Sequence, residues 1–252
     1  MHVILTGATG LVGSGALAQI LANMNAGGPI SRLSILSRSP VPMAEGKKNV
    51  TVIQHKDFEN YPSEVLKQLD GAEACIWAQG ISQNQVGKDE YIKITQDYPL
   101  AAAKAFSGLN DPFKFVYISG EGATQAPGYF TPLFGRIKGI TETQLLALQG
   151  SGYPSLRAYS VRPAFVDKAN HPEVIEAQKG RFPMKDYATA VFGPPVRAFA
   201  KGYVSPTALL GDFFIKLAVG DGAPVKGDDV LEGGRIIPNK AFRRIMDEDA
   251  AK

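Results

Sequence analysis

Residues 1–13 read Met-His-Val-Ile-Leu-Thr-Gly-Ala-Thr-Gly-Leu-Val-Gly, and this stretch decides the fold. Val3 to Leu5 form a short apolar run, which is typical of a strand buried in a parallel sheet. A glycine-rich turn follows the run. Residues 11–24 then place Leu17 and other apolar side chains on one face at helical spacing. The order of these pieces predicts a strand, a tight turn and a helix.

Three glycines divide this turn at the spacing Gly-x-x-Gly-x-x-Gly. Gly7 allows the chain to turn off the strand, Gly10 lacks the Cβ that would keep a pyrophosphate away, and Gly13 allows close helix packing. The helix N-terminus then faces the phosphates with free N–H groups. A purely structural turn is the alternative, but the flanking strand and helix favour nucleotide binding. The predicted cofactor contacts in this stretch are Gly7, Thr9, Gly10, Leu11, Val12 and Gly13.

The composition excludes several classes of protein. The 252 residues include 27 basic and 24 acidic side chains, and neither sign is clustered, so we expect no nucleic-acid surface. The absence of a long apolar segment argues against membrane spanning and secretion. The single cysteine, Cys75, lies in an apolar run and is expected to be a buried thiol. A reducing, cytoplasmic location fits these features, and three scattered histidines predict no metal site.

The second strand, residues 32–37, ends where a dinucleotide fold meets the adenosine ribose. An acid at this position would bind the ribose 2′-hydroxyl, whereas a basic residue accommodates a 2′-phosphate. The sequence offers Ser37 and Arg38 there, which favours NADP over NAD, although a solvated loop arginine is the alternative. After the third strand, Asp57 and Phe58 are the residues predicted to contact the adenine.

Alternation of strands and helices predicts the fold class: α/β, a doubly wound parallel sheet of Rossmann type with right-handed crossovers and a small C-terminal substrate-side lobe. Residues 1–166 are predicted to form the dinucleotide-binding domain, and residues 167–252 an irregular and helical region packed on it. Strand ends and the loops after them face the ligand in such sheets. The further predicted cofactor contacts are therefore Ala78, Gly80, Pro163 and Val166.

Thr6 to Gly13, Ser119 after the fifth strand, Lys138 on the next helix and Arg162-Pro163 together resemble the short-chain dehydrogenase/reductase superfamily. The similarity is greatest to its atypical, epimerase-like branch. The resemblance implies that Ser119 orients a substrate carbonyl, and that Lys138 holds the nicotinamide ribose and assists a proton-donating tyrosine.

That tyrosine is missing, because Phe134 stands four residues before Lys138. A proton donor typically contributes about 10² to 10⁴ in rate, so ordinary carbonyl reduction through this position should be impaired. Tyr129, in the preceding loop, is the candidate replacement, and Glu121 is a second one. The alternative, which the sequence favours, is that Tyr129 is a packing aromatic in a loop that contains proline and glycine.

Three functions fit these residues. The first is an NADP-dependent oxidoreductase acting on a small carbonyl or enone. The second is a redox-neutral isomerase or cyclase that uses the same pocket, whose walls would be Phe130, Phe134, Phe165 and Phe182. The third is a non-catalytic NADP redox sensor, resembling the NmrA-like sensors. The sequence names neither the substrate nor the oligomeric state.

Overall fold

A computed structural model describes residues 1–180 and 193–251. Phe182, one of the predicted pocket walls, lies outside the described residues. The strands are β1 (His2–Thr6), β2 (Arg32–Ser37), β3 (Val50–Gln54), β4 (Ala74–Trp77), β5 (Phe113–Ile118), β6 (Leu156–Arg162), β7 (Phe165–Asp167), β8 (Val204–Pro206) and β9 (Ile236–Pro238). The α-helices include α1 (Leu11–Asn25), α2 (Ser63–Gln68), α3 (Lys88–Ile92), α4 (Tyr98–Phe106), α5 (Leu133–Leu148), α6 (Pro172–Gln178), α7 (Thr207–Val219) and α8 (Asn239–Ala250).

Seven strands form one parallel sheet in the order β3-β2-β1-β4-β5-β6-β9, while β7 and β8 pair separately. This confirms the predicted doubly wound α/β fold. β1 lies between β2 and β4, with Val3 opposite both Leu33 and Ala74. All five residues of β1 are buried. Its continuous apolar run follows from helices covering both faces of the sheet.

Each face of the sheet has its own apolar core. On one face α1, α7 and α8 meet, and Leu17, Phe213 and Phe242 are buried together. On the other face, helices α4 and α5 pack against aromatic side chains that include Trp77 and Phe115. The C-terminal part of the chain therefore completes one of the two cores.

Two segments of the chain are irregular. β6 ends at Arg162 and Pro163 interrupts the pairing, so that β7 is a separate strand that pairs with β8. A π-helical segment, Lys93–Asp97, lies immediately before α4. Pro99 lies in the first turn of α4, where its missing N–H is tolerated.

Among the described residues, no helix is long and apolar enough to cross a membrane. Within the same ranges, no group of three or more histidine, cysteine or acidic side chains is arranged to hold a metal ion.

The glycine-rich turn predicts a sharp difference between two substitutions. A Cβ at Gly13 would lie 2.0 Å from the carbonyl oxygen of Gly7, so Gly13→Ala should lower the free energy of unfolding by roughly 1–3 kcal/mol. Gly108→Ala is the control, because no atom lies within 4 Å of its added Cβ. That variant should stay within about 0.5 kcal/mol of the original chain. Urea denaturation measures both, and equal effects would refute the steric account of the turn.

Candidate functional site: a cleft at the carboxyl edge of the sheet

A cleft runs along the carboxyl ends of β1, β4 and β5. It consists of an outer cavity of about 290 Å³ and an inner cavity of about 400 Å³, which share several lining residues. The shared residues are Gly10, Ala78, Gln79, Gly80, Ile81 and Gln85. Because these residues belong to both cavities, the cleft offers one continuous path for an extended ligand.

The glycine-rich turn forms the floor of this path. Gly7 has φ +67°, and an added Cβ there would lie 2.3 Å from the carbonyl oxygen of Ala78, so only glycine fits. Helix α1 begins after Gly10 with no side-chain cap and no acidic residue in its first turn. Its first N–H groups and the positive end of its dipole are therefore available to a phosphate. Leu11 and Val12 line the inner cavity, whereas Gly13 lies beneath the turn.

Ser37, Arg38 and Phe58 line the outer cavity together with Thr9. The Ser37 hydroxyl donates a hydrogen bond of 2.7 Å to the Ser39 carbonyl and thereby shapes the loop that carries Arg38. The Arg38 side chain thus stands at the end of the cleft where the sequence predicts recognition of the ribose phosphate.

Asp57 does not line either cavity. Its exposed carboxylate instead accepts hydrogen bonds from the Asn60 side chain, at 2.8 Å, and from the Glu59 backbone N–H, at 3.1 Å. These bonds lower the pKa of Asp57, mainly through Asn60. The structure therefore places Asp57 in its own local turn beside Phe58, and its contact with adenine stays a prediction.

Ser119 and Lys138 meet at the inner end of the cleft, where Pro163 and Val166 form the opposite wall. The backbone N–H of Ser119 donates to the Val161 carbonyl at 2.8 Å, which fixes this residue to the end of β6. The Ser119 side chain is buried, and among the described residues its hydroxyl has no hydrogen-bond partner. Because an unpaired buried hydroxyl is costly, this one is suited to a ligand oxygen.

The Lys138 ammonium donates to the carbonyl oxygens of Ile118 and Ser119. One turn further along α5, Glu142 is fully buried and paired with Arg162 through two hydrogen bonds, one of 2.9 Å. Burial lowers the pKa of Lys138 to about 8, and the nearby Glu142 opposes this shift. The Lys138 ammonium is therefore positively charged at neutral pH, is fixed by two carbonyl oxygens, and loses its proton at a lower pH than an ordinary lysine.

Neither predicted replacement for the missing tyrosine reaches the cleft. Tyr129 is 90% exposed, and its loop is held outward by Arg136, which donates to the carbonyl oxygens of Gly128 and Tyr129. Glu121 instead accepts a hydrogen bond of 3.2 Å from the backbone N–H of Asn239 at the start of α8. The structure brings Ser119 and Lys138 together without either residue.

Phenylalanine at position 134 acts as a packing residue. Its ring lies against Gly122, where an added Cβ would be 3.2 Å from the ring. Of the other predicted pocket walls, Phe130 is 92% exposed and Phe165 is partly buried.

Several lining residues were not predicted from the sequence. Gln178 of α6 lines the inner cavity, and its amide donates to the Thr9 carbonyl at 3.1 Å. Gln83 lines neither cavity, but it accepts a hydrogen bond of 2.8 Å from the Phe134 backbone N–H and so connects the loop after β4 to α5. These contacts join distant parts of the chain and leave no local sequence pattern. The further unpredicted lining residues are Leu36, Ser39, Gln79, Ile81, Ser82, Gln85, Ile118, Ala164 and Lys168.

Two proteins of known biosynthesis clusters are similar to this chain in sequence, whereas no family model matches it. Leucinostatins biosynthesis cluster protein T of Purpureocillium lilacinum is 33% identical over 257 residues, covering 94% of this chain and 92% of that protein. Botcinic acid biosynthesis cluster B protein 16 of Botryotinia fuckeliana strain B05.10 is 45% identical over 154 residues, covering 58% of this chain and 97% of that protein.

Solved structures share the fold at low identity. A dTDP-glucose 4,6-dehydratase from Streptomyces venezuelae, with NAD bound, has a TM-score of 0.62 at 14% identity and covers 100% of this chain and 81% of its own. A short chain dehydrogenase family protein from Francisella tularensis has a TM-score of 0.63 at 15% identity, covering 96% and 98%. UDP-glucuronic acid 4-epimerase from Bacillus cereus has a TM-score of 0.53 at 16% identity and covers 67% of this chain but only 58% of its own.

The chain shares the fold of these solved structures, a doubly wound parallel sheet of Rossmann type with its cleft at the carboxyl edge. The chain belongs to the same family as the leucinostatin-cluster protein T.

The burial of Lys138 predicts a pH-dependent stability. Its pKa is about 8 in the folded chain and 10.5 when unperturbed, so between these values the unfolded chain binds more protons. The contribution of Lys138 to the free energy of unfolding should therefore increase as the pH rises from 8 to 10. Lys138→Met lacks this group. The free energy of unfolding of the original chain minus that of the variant should therefore increase with pH. Urea denaturation at pH 7, 8.5 and 10 measures it.

Lys104→Met, at an exposed position of α4, is the control for general effects of losing a lysine and should leave the pH slope unchanged. A slope that is the same for the original chain and for Lys138→Met would contradict the buried position of the Lys138 ammonium.

Proposed function

We propose that this protein is an NADP(H)-dependent oxidoreductase of secondary metabolism that reduces a small enone. One observation carries the proposal. The Ser119 hydroxyl, which has no hydrogen-bond partner among the described residues, and the Lys138 side chain both line the inner end of the cleft above the glycine-rich turn. The names of both curated relatives refer to biosynthesis clusters, which supports a role in secondary metabolism. A cytoplasmic location is part of the proposal and is in keeping with the free, buried Cys75.

The residues present fit a nicotinamide dinucleotide. Gly10 and the uncapped start of α1 would hold the pyrophosphate, Arg38 the ribose 2′-phosphate and Lys138 the nicotinamide ribose. Two of the solved structures described above are named as complexes with NAD. The preference of this chain for NADP rests on Arg38 and on the lack of an acid at the end of β2.

When bound, the reduced nicotinamide would supply a hydride. The chain's own residues then decide which carbonyl compounds can be reduced. A saturated ketone develops negative charge on a single oxygen, which requires a proton placed beside it, and Phe134 has none to give. An enone spreads that charge over an enolate, which can take its proton on carbon from water.

Ser119 and Lys138 suit the enolate better than the alkoxide. The Ser119 hydroxyl can donate a hydrogen bond to the enolate oxygen, and the positive charge of Lys138 stabilises the developing negative charge. Phe134 packs against Gly122 and adds an apolar surface at the start of α5. This division of roles requires no tyrosine at position 134.

One observation favours a second function, either redox-neutral catalysis or NADP sensing. Phe134 stands where the related enzymes are expected to have a tyrosine, and Tyr129 is exposed outside the cleft. A redox-neutral enzyme or an NADP-binding sensor would need no proton donor at that position. Tight NADPH binding without any oxidation of NADPH by carbonyl compounds would favour this second function over the reductase.

Arg38→Ala tests the choice of cofactor. Loss of a charge-assisted hydrogen bond to the 2′-phosphate, roughly 1.5–3 kcal/mol, should weaken NADPH binding by about 10- to 100-fold and leave NADH binding unchanged. Titration calorimetry measures both affinities. Arg32→Ala is the matched control, since Arg32 lies at the opposite end of the same strand. Equal loss of NADPH and NADH binding would refute the role of Arg38.

The choice of substrate is tested with α,β-unsaturated ketones and their saturated counterparts, followed by NADPH absorbance. We expect the enones to turn over at least about tenfold faster, and Ser119→Ala to lower that rate by about 10² as an oxyanion donor is lost. Ser160→Ala is the control, because the buried Ser160 hydroxyl also has no hydrogen-bond partner within residues 1–180 and 193–251 but does not line the cleft. Faster reduction of saturated ketones, or an unchanged rate in Ser119→Ala, would overturn the assignment.

A further inference from the structure

A second cavity, the rear cavity, lies next to the glycine-rich turn and shares Thr9 and Gln178 with the cleft. This rear cavity has a volume of about 760 Å³, which is within the range of small-molecule sites. Helix α1, the loop after β2 and helix α6 form its walls. Its lining residues are Ala8, Thr9, Ala18, Leu21, Ala22, Asn25, Val41, Pro42, Met43, Glu45, Lys47, Glu173, Glu176, Ala177 and Gln178.

The floor and the rim of the rear cavity differ in chemistry. Leu21 and Val41 are buried and form the floor, while the charged groups are exposed and form the rim. These are three carboxylates, Glu45, Glu173 and Glu176, and one ammonium, Lys47. Glu176 also lies 3.7 Å from the exposed Lys179. The remaining excess of negative charge favours a ligand that carries a positive charge.

Gln178 lies in the wall between the rear cavity and the inner cavity and lines both. Its side chain is 2% exposed, and its amide nitrogen donates to the Thr9 carbonyl at 3.1 Å and to the Ser14 hydroxyl at 3.2 Å. The Thr9 carbonyl can only accept, so it fixes the orientation of the amide. Within residues 1–180 and 193–251, the Gln178 Oε1 atom accepts no hydrogen bond. A buried acceptor without a partner is costly and is satisfied by a ligand that donates.

We propose that the rear cavity is a binding site for an aliphatic primary amine. The alkyl chain packs on Ala18, Leu21 and Met43, where its burial supplies most of the affinity. The ammonium is the donor that the carboxylates and Gln178 require. The rear cavity shares Thr9 and Gln178 with the cleft, but this assignment uses neither Ser119 nor Lys138 and needs no bound nucleotide.

The test is calorimetric titration of the full chain with decylamine, with no nucleotide present. Decanoate has the same chain length and the opposite charge, so it should bind at least about tenfold more weakly. The double variant Glu45→Gln/Glu173→Gln should reduce decylamine affinity by a similar factor, whereas Glu64→Gln, exposed on α2, should have no effect. Equal binding of decanoate, or unchanged binding to the double variant, would overturn the proposal.

Ala18→Trp provides an independent check, because the indole would fill the space above the floor of the rear cavity. We expect loss of decylamine binding with NADPH binding retained. Decylamine binding that persists in a folded Ala18→Trp variant would place the amine elsewhere and refute the site. If that variant fails to fold, the glutamate variants decide the question.

Discussion

The close approach of Gly13 to the carbonyl oxygen of Gly7 is the constraint on which the rest of the molecule depends. It allows α1 to begin directly after the turn, with its first N–H groups directed into the cleft. Because Gly7 also lies against the carbonyl of Ala78, the same turn brings the ends of β1 and β4 to one edge. The cleft follows from that meeting, since ligands in open parallel sheets bind where adjacent connections diverge.

At the inner end of the cleft, a buried network of charges positions the chemistry. The Glu142–Arg162 pair joins α5 to the end of β6, and Lys138 lies one helical turn from Glu142. Removal of one partner from such a pair would leave an uncompensated buried charge. The pair therefore holds α5 in a fixed position against the end of β6. Within this frame, Phe134 packs against Gly122 and supplies no proton, and Ser119 is left to contact a substrate oxygen.

Much of this arrangement could be predicted from the sequence, because regular periodicity placed the strands and each strand end marked the cleft. Arg38 was identified in this way, whereas Ser119 and Lys138 were identified from the resemblance to the short-chain dehydrogenase/reductase superfamily. All three line the cleft. The contacts that escaped prediction depend on tertiary structure. Gln178 reaches Thr9 across 169 positions of sequence, and Tyr129 is turned outward by the Arg136 side chain. No local pattern could reveal either contact.

The most direct measurement is a titration of the ¹⁵N-labelled, deuterated chain with NADPH, followed by changes in backbone amide chemical shifts. If the cleft holds the cofactor, the largest changes should occur at the amides of Gly10, Val12 and Ser119, with little change at Ala22 beside the rear cavity. Binding that leaves Gly10 and Ser119 unmoved would contradict the account of the cleft.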